Sequence, residues 1–307
     1  MTPEIAAAVT VLRHGGLVAF PTETVYGLGA DATNEFAVRR VFRVKGRPEG
    51  HPLIVHLADD DELGGWVRHI TEPARLLAAA CWPGPLTLLL ERSARVLPEI
   101  TGGRATVGVR VPAHPVAQQL LRAFGSGIAA PSANRFGHVS PTTAEHVRDD
   151  LGTDVDLVLD GGPSVVGVES TIVDCTTDPP QVLRPGAITA LEITRILDGV
   201  APGSPGGPSR APGMLESHYA PRCRVVLAES HAQASELAAA EARRGFRTEL
   251  LDPRIAVADY ARNLYSWLRS ADDRGIEVLV AVLPAPEGLG FAVRDRLLKA
   301  AAPRPAG

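Results

Sequence analysis

The sequence has few cysteines and no long apolar run. Its 307 residues contain three cysteines, at positions 81, 175 and 223, and they lie far apart. This number and spacing exclude a disulfide framework and a CxxC metal site, and they are typical of a reducing compartment, so we expect a cytoplasmic protein. No apolar run reaches the ~18–20 residues that cross a bilayer, and the N-terminus lacks the basic start of a secretion signal, so we expect no membrane segment.

Basic residues are slightly fewer than acidic ones, 31 against 35, and very few of the basic residues are lysines. The formal net charge is −4, which excludes a general electrostatic attraction to nucleic acid. Any site for an anion must therefore be built locally. Only Lys45 and Lys299 are lysines, whereas 29 residues are arginines. A lysine inside a dense polar motif of such a chain is a candidate functional residue.

A Pro/Gly-rich segment at residues 200–222 divides the chain into two domains. Residues 1–199 mix strand and helix patterns irregularly, which predicts an α/β domain with a large, twisted, mixed sheet. Residues 223–307 alternate apolar strands with helices, which predicts a small, Rossmann-like parallel α/β domain. The end of the divider, Met214–Tyr219, contains Met, Leu, His and Tyr, which a pure spacer does not need, so we expect it to dock as a lid.

The hydrophobic periodicity predicts the elements of both domains. In the first domain it predicts strands at 16–20, 53–57, 86–90, 107–111, 128–130, 157–159 and 170–173, and helices at 3–13, 35–43, 72–80, 115–124 and 144–151. In the second it predicts strands at 224–228, 247–251 and 276–283, and helices at 231–244, 255–270 and 290–300.

Six polar motifs lie at the ends of these predicted elements. They are PTETVYGL at 21–28, KGRPEGHPL at 45–53, VRVP at 109–112, AAPSAN at 129–134 with SPT at 140–142, GVESTIVD at 167–174 and LRPG at 183–186. Each motif alone is weak evidence, because hydroxyls that cap a turn or an exposed basic loop would look similar. Six of them in order, all at strand ends, indicate a ligand-binding site.

Three of the motifs suggest particular ligand groups. Lys45 and Arg47 are two cations that Pro48 holds extended, and a compact charge beside a guanidinium fork suits a polyphosphate. Arg110 alternates with valines in a predicted strand, so it must find either an anionic ligand or an internal carboxylate partner. The amide of Asn134 can read the edge of a base or a sugar.

These motifs, together with WPGPLT at 82–87, closely resemble those of the YrdC-type threonylcarbamoyl-AMP synthases. The end of the divider, APGM at 211–214 and SHYAP at 217–221, resembles the long, two-domain form of that family. The resemblance covers nearly the whole chain. It implies a catalytic α/β domain whose twisted sheet surrounds a deep, positively charged cavity, followed by a small Rossmann-like domain.

The resemblance also implies a reaction. L-threonine, bicarbonate and ATP would give L-threonylcarbamoyl-adenylate and pyrophosphate, which makes the expected enzyme a nucleotidyltransferase. A downstream tRNA threonylcarbamoyl transferase would use the product to modify the adenosine next to the anticodon of tRNAs that read ANN codons. tRNA would therefore be an indirect partner.

The residue roles follow from the same resemblance, motif by motif. It implies that L-threonine is held by Thr24, His56, Arg110 and Ser170, with Arg110 pairing the carboxylate. It implies that ATP is held by Lys45, Arg47, His51, Thr106, Ser132, Asn134, Ser140, Arg184 and Tyr219. Lys45 and Arg47 are the expected catalytic cations, and Tyr219 is expected to close over the nucleotide.

This chemistry requires positioning and charge neutralisation more than a covalent intermediate, so no catalytic cysteine is expected. No group of carboxylates in the sequence looks like a dedicated metal cage, so we expect Mg²⁺ to arrive with the ATP phosphates. Two positions depart from the family pattern. His51 stands where asparagine is more usual, and Ser217 stands where the linker commonly has arginine.

Two other functions fit parts of the sequence. A non-catalytic RNA-binding protein could use the same cavity, although few aromatic residues lie near the basic motifs for stacking on bases. A carbamoyl-adenylating enzyme could share the catalytic domain, as in hydrogenase maturation proteins. Those proteins carry zinc-finger and acylphosphatase modules, for which this chain has neither the length nor the cysteines.

Overall fold

The protein was analysed as a computed structural model, which describes residues 1–203, 211–212, 219–252 and 254–303. The strands in these ranges are β1 (Val18–Phe20), β2 (Gly27–Asp31), β3 (Ile54–His56), β4 (Leu86–Glu91), β5 (Thr106–Arg110), β6 (Ile128–Ala130), β7 (Leu157–Val158), β8 (Thr171–Asp174), β9 (Gln181–Arg184), β10 (Arg224–Ala228), β11 (Thr248–Leu251) and β12 (Val278–Val282). The helices are α1 (Pro3–Arg13), α2 (Glu35–Lys45), α3 (Leu63–Trp66), α4 (Glu72–Cys81), α5 (Pro98–Thr101), α6 (Pro115–Phe124), α7 (Ala144–Leu151), α8 (Ala190–Ile196), α9 (His231–Arg243), α10 (Val257–Asp273) and α11 (Gly290–Ala301).

The first nine strands form one mixed sheet in the order β7-β1-β2-β6-β3-β5-β4-β8-β9. The sheet contains parallel pairs, such as β3 with β5 and β4 with β8, and antiparallel pairs, such as β4 with β5. The predicted large mixed sheet is therefore confirmed. Among the described residues, no helix is both long and apolar enough to span a bilayer.

Helices cover both faces of this sheet, because its strands are apolar on both faces. Successive residues of β1 point to opposite sides. Ala19 joins the core that contains α2 and α4, whereas Val18 and Phe20 join the core of α1 and α6. A sheet buried on both faces leaves its strand ends and connecting loops for polar groups.

The second domain is a three-stranded parallel sheet in the order β10-β12-β11. Helix α9 packs on one face, and helices α10 and α11 pack on the other. The core on the α10 and α11 side also contains Val25, Val139, Val168 and Tyr219 from outside this domain. The two domains thus share one apolar core, and the predicted small parallel domain is confirmed.

All the predicted strands and helices are present, with ends that differ by at most three residues. Strands β2 and β9 and the short helices α3, α5 and α8 were not predicted. Strand β2 reads GLGAD, and glycine is unfavourable in strands. The structure explains Gly29, because a Cβ there would lie 2.8 Å from the Phe20 ring. The predicted lid at Met214–Tyr219 lies outside the described residues except for Tyr219.

Gly167 marks the closest approach between the domains. Its φ is +80°, and a Cβ at this position would lie 2.4 Å from the Cα of Arg262 on α10. Gly162 has a similar φ of +78°, but no atom lies within 4 Å of the Cβ that it would carry. A substitution of Gly162 therefore tests backbone strain alone, whereas a substitution of Gly167 tests the same strain together with a clash between the domains.

We expect Gly162→Ala to lower the free energy of unfolding by about 1 kcal/mol, the cost of the left-handed backbone alone. Gly167→Ala adds a clash with the backbone of α10, so we expect a loss of at least about 3 kcal/mol. Urea denaturation of the two variants and the parent measures the difference. Equal losses in the two variants would contradict the tight contact at Gly167.

Candidate active site

A polar cavity opens at the strand ends of the large sheet. It contains about 560 Å³ of space free of protein atoms, its mouth included. Eight of the residues predicted from the sequence line it, namely Thr24, Arg47, His56, Arg110, Ser132, Ser170, Arg184 and Tyr219. All four residues predicted for L-threonine are in this group.

Arg110 lies at the end of β5 and is bound on all sides by protein groups. Its Nη1 donates to Thr24 Oγ1 at 2.9 Å, and its Nη2 donates to Glu23 Oε1 at 2.6 Å. Both partners of the ion pair are buried, with side chains 5% and 8% exposed. Of the two partners that the sequence left open for Arg110, an anionic ligand or an internal carboxylate, the structure shows the carboxylate, which is Glu23. The guanidinium still lines the cavity, so it can also meet an anionic ligand.

His56 is the neighbour of Arg110 in the sheet, because β3 and β5 pair in parallel with His56 opposite Arg110. The ring is buried, and its Nδ1 has no hydrogen-bond partner among the described residues. Burial, with the Arg110 charge added, lowers the pKa of His56 to about 3. The imidazole is therefore neutral at physiological pH, and it can exchange a neutral hydrogen bond with a ligand.

Ser170 is hydrogen-bonded to residues of two strands, Thr87 on β4 and Arg184 on β9. Its Oγ lies 2.7 Å from Thr87 Oγ1 and accepts a hydrogen bond from Arg184 Nη2 at 3.0 Å. Arg184 also donates its Nε to the Ser170 carbonyl at 3.0 Å. These bonds fix the Arg184 guanidinium at the cavity wall, where it lines the cavity with Arg47.

The two expected catalytic cations are placed differently. Arg47 lines the cavity, and its buried Nε has no hydrogen-bond partner among the described residues. Burial lowers its pKa to about 10, so it remains charged near neutral pH. Lys45 does not line the cavity, because its Nζ donates to the backbone carbonyls of Ser132, at 2.5 Å, and Asn134. Burial and the Arg47 charge lower the pKa of Lys45 well below its usual value.

Four other residues predicted for ATP lie outside the cavity lining. Ser140 is buried and donates to a carboxylate oxygen of Glu169 at 2.6 Å, and Asn134 donates to the carbonyls of residues 135 and 138. His51 contacts the edge of the Phe136 ring. Thr106 begins β5, four residues from Arg110, which corresponds to ~13 Å along an extended strand. The structure does not bring Thr106 to this cavity, so its predicted role has no geometric support here.

Sequence reasoning assigned no role to two buried carboxylates. Glu23 and Glu169 both lie inside quoted motifs, PTETVYGL and GVESTIVD. Their burial follows from their partners, Arg110 for Glu23 and Arg296 for Glu169, at 2.6 and 2.9 Å. A glutamate amid small and apolar residues next to a strand is the signal that could have revealed them, because a buried carboxylate needs a cation.

Glu169 has the more elaborate surroundings. Besides Ser140, it accepts hydrogen bonds from Tyr265 Oη at 2.7 Å and from Arg296 Nε at 2.9 Å, both in the second domain. Burial alone raises the pKa of Glu169, but the Arg296 and Arg184 charges outweigh burial and bring it down to about 2. Glu169 is therefore an ionised, fully paired carboxylate in the cavity wall.

Comparison with protein families gives two matches along the chain. The Sua5–YciO–YrdC family model, described as "Telomere recombination", matches residues 10–186. A second model, described as "Threonylcarbamoyl-AMP synthase, C-terminal domain", matches residues 188–302.

Several curated proteins named threonylcarbamoyl-AMP synthase are similar to this chain. The protein from Pyrococcus abyssi is 41% identical, over 97% of this chain and 94% of its own length. The protein from Bacillus subtilis is 39% identical, over 98% of this chain and 94% of its own length. A shorter relative from Vibrio vulnificus, 37% identical, aligns over its whole length but covers only 61% of this chain.

The solved structure of Pyrococcus abyssi Sua5 complexed with L-threonine superposes with a TM-score of 0.92. It is 41% identical and covers 97% of this chain and 94% of its own. The fold and the matches define the chain as a member of the Sua5–YciO–YrdC family. Within that family it has the two-domain form found among threonylcarbamoyl-AMP synthases, which confirms the resemblance seen in the motifs.

The buried pair of Arg110 and Glu23 gives a test of the site's architecture. We expect Glu23→Gln to lower the free energy of unfolding by about 3–5 kcal/mol, because it leaves Arg110 buried without a counter-charge. Glu35→Gln removes one carboxylate from an exposed pair with Arg39 and should cost no more than about 1 kcal/mol. Urea denaturation of both variants measures the costs, and similar values would show that Arg110 does not depend on Glu23.

Proposed function

We propose that the protein is an L-threonylcarbamoyladenylate synthase, a nucleotidyltransferase that uses L-threonine, bicarbonate and ATP. The observation that carries the proposal is the shared cavity. Its lining includes Arg110 with Thr24, His56 and Ser170, which suits an amino acid with a carboxylate and a hydroxyl. The same lining includes Arg47 and Arg184, which suits a polyphosphate.

In the proposed reaction the amine of threonine first combines with bicarbonate to form a carbamate and water. A carbamate oxygen then attacks the α-phosphorus of ATP, and the bond from that phosphorus to the pyrophosphate oxygen breaks. Pyrophosphate leaves with the electron pair. Catalysis of this kind rests on holding the two reactants in line and neutralising charge on the phosphates.

The residues proposed to hold threonine support this assignment through one positive charge and one hydrogen-bonding atom that has no partner among the described residues. Arg110 would pair the carboxylate, since its guanidinium lines the cavity beside Thr24. His56, neutral and with an unpartnered Nδ1 among the described residues, would exchange a hydrogen bond with threonine without adding charge. A hydrophobic wall for the threonine methyl group would favour threonine over serine by only about 1–2 kcal/mol.

For the nucleotide, we propose Arg47 and Arg184 as the direct phosphate contacts. Lys45 binds the carbonyls of Ser132 and Asn134, so we propose that it orders this loop beside the phosphates. Ser132 lies in the cavity lining, and Tyr219 closes one side. The roles proposed for His51, Asn134 and Ser140 rest on the family motifs rather than on the cavity lining.

Mg²⁺ belongs to the proposal as a companion of ATP. The carboxylates at the cavity, Glu23 and Glu169, are each bound to a buried arginine, so they have little capacity left as metal ligands. The described residues contain no group of three or more possible ligands for a metal ion. Phosphate oxygens and water would therefore hold the ion, as is usual for Mg²⁺ with nucleotides.

The product would pass to a tRNA threonylcarbamoyl transferase, which modifies tRNAs that read ANN codons, and we expect these steps in the cytoplasm. A carbamate and a mixed anhydride both decompose in water, so closure of the cavity would protect them. Tyr219 is buried and lines the cavity, and it is the one residue of the predicted lid that the structure describes.

The direct test is pyrophosphate release from ATP and bicarbonate with Mg²⁺, measured with and without L-threonine. We expect release to depend on threonine. We expect Arg47→Ala to lower the rate on the order of 10²–10³-fold, because it removes a charge contact to the reacting phosphates. Lys45→Ala should lower it in the same direction.

Arg43→Ala is the matched control, because Arg43 lies in the last turn of α2 and is exposed. Its rate should equal that of the parent protein. Release that does not depend on threonine would contradict the proposed reaction, and it would favour carbamoyl adenylation or RNA binding instead. An Arg47→Ala variant with the parent's rate would contradict the placement of the phosphates.

A further inference from the structure

The second domain contributes buried charge to the wall of the cavity. Arg296 on α11 is fully buried, with 0% of its side chain exposed. Its Nε donates to Glu169 Oε2 at 2.9 Å, across 127 residues of sequence. Its Nη1 donates to Asp295 at 2.7 Å and to the Pro185 carbonyl at 2.8 Å. None of the reactants proposed for this site is expected to contact Arg296, because Arg296 does not line the cavity.

Glu169 is the connection between Arg296 and the cavity. The carboxylate lines the cavity, and Arg296 and Tyr265 bind its Oε2 from the side of the second domain. The Arg296 guanidinium also lies 5.5 Å from the centre of the Tyr219 ring, which lines the same cavity. Arg296 therefore supports two cavity residues at once without lining the cavity itself.

A second cation near Glu169 is Arg184, which is proposed to bind phosphate. Arg184 is hydrogen-bonded to the carbonyl and the hydroxyl of Ser170, the residue that follows Glu169, and both Arg184 and Glu169 line the cavity. The Arg184 charge also lowers the pKa of Glu169. Arg184 donates no described hydrogen bond to Glu169, because its donors go to Ser170 and to the Pro212 carbonyl. A buried carboxylate attracts whatever cation is available, and the counter-charge on its other side decides which one.

We infer that Arg296 is a positioning residue for ATP: it neutralises Glu169 from the second domain and so keeps Arg184 available for the phosphates. This inference rests on the proposed function, since it assumes that the cavity takes a nucleotide. Without Arg296, Glu169 would draw Arg184 into an ion pair, and the cavity would lose one positive charge. Threonine binding, which is proposed to use Thr24, His56, Arg110 and Ser170, would be affected much less, because only Ser170 of these four is bonded to Arg184.

The shorter relatives make this role specific to the two-domain form. The Vibrio vulnificus protein aligns over its whole length with 61% of this chain, so it has no second domain to match this one. The second domain is thus not common to all relatives that are named as the synthase. Its contribution here is a counter-charge delivered by α11.

The test is calorimetric titration, with α,β-methylene-ATP in the presence of Mg²⁺ and with L-threonine as separate ligands. For Arg296→Met we expect the dissociation constant of the ATP analogue to rise about ten- to hundredfold, which corresponds to the loss of one hydrogen bond to a charged group. We expect the constant for L-threonine to rise by no more than about threefold, because Thr24, His56 and Arg110 keep their contacts and Ser170 keeps its hydrogen bond to Thr87.

A second substitution separates positioning from a general loss of structure. In Glu169→Gln/Arg296→Met the carboxylate that would capture Arg184 is gone, so we expect tighter binding of the ATP analogue than in Arg296→Met alone. If Arg296 acted only by holding the fold, the double variant would recover binding of the ATP analogue and of L-threonine together, whereas positioning predicts recovery for the ATP analogue alone. The double variant also lacks an unpaired buried charge, so it can be measured even if Arg296→Met fails to fold.

Tyr265→Phe provides a milder version of the same change, because it removes one hydrogen bond to Glu169 and keeps the ring. It should weaken binding of the ATP analogue severalfold, and again not that of threonine. Arg294→Gln is the matched control on α11, since Arg294 pairs with the exposed Glu229 and does not line the cavity. It should bind both ligands like the parent protein.

The outcomes distinguish this inference from the function on which it rests. A parent protein that binds no ATP analogue would overturn both. A parent that binds the analogue, with Arg296→Met and Tyr265→Phe binding it equally well, would overturn the inference and leave the proposed function standing. Equal losses for the ATP analogue and for L-threonine would also overturn it, because they would indicate a collapse of the whole site.

Discussion

The pairing of Glu169 with Arg296 is the constraint on which the arrangement of the two domains depends. A carboxylate buried in a cavity wall needs a counter-charge, and here that charge comes from the other domain. An ion pair of this kind contributes little net stability compared with apolar packing, but it permits only one placement of α11 against β8 and β9. The apolar core that α10 and α11 share with Val25, Val139 and Val168 holds the two domains together.

The cavity illustrates how a mixed sheet collects residues that are distant in sequence. Thr24 follows β1 near one edge of the sheet, His56 and Arg110 end the central strands, and Ser170 precedes β8 near the other edge. Loops rather than strands carry much of the lining, because the strands are buried on both faces by helices. The buried carboxylates then serve as internal counter-ions, so the cavity can hold several arginines without mutual repulsion.

Much of the fold could be predicted from the sequence, because periodicity reports burial directly. The glycine-rich β2 escaped prediction because its residues contradict local propensity, and the Phe20 and Ile128 side chains beside Gly29 explain it. Strand β9 and helix α8 escaped because they are short, at four and seven residues. For the site, the need of Arg110 for an anion followed from its place among valines. Its partner did not, because Glu23 is 87 residues away, and long-range contacts leave no local signal. The resemblance to a known family supplied most of the candidate residues, but it did not reveal that Lys45 is bound to backbone carbonyls or that Arg296 on α11 binds Glu169 in the cavity wall.

The position of Arg296 in the sequence has a consequence for synthesis on the ribosome. Glu169 is translated 127 residues before the arginine that neutralises it. While the nascent chain lacks α11, the first domain must either keep this carboxylate hydrated or let it pair with Arg184. The nine-stranded sheet can therefore be assembled early in translation, whereas the final charge pattern of the cavity is set only when α11 has left the exit tunnel and docked. Maturation of the binding site thus depends on the synthesis of α11.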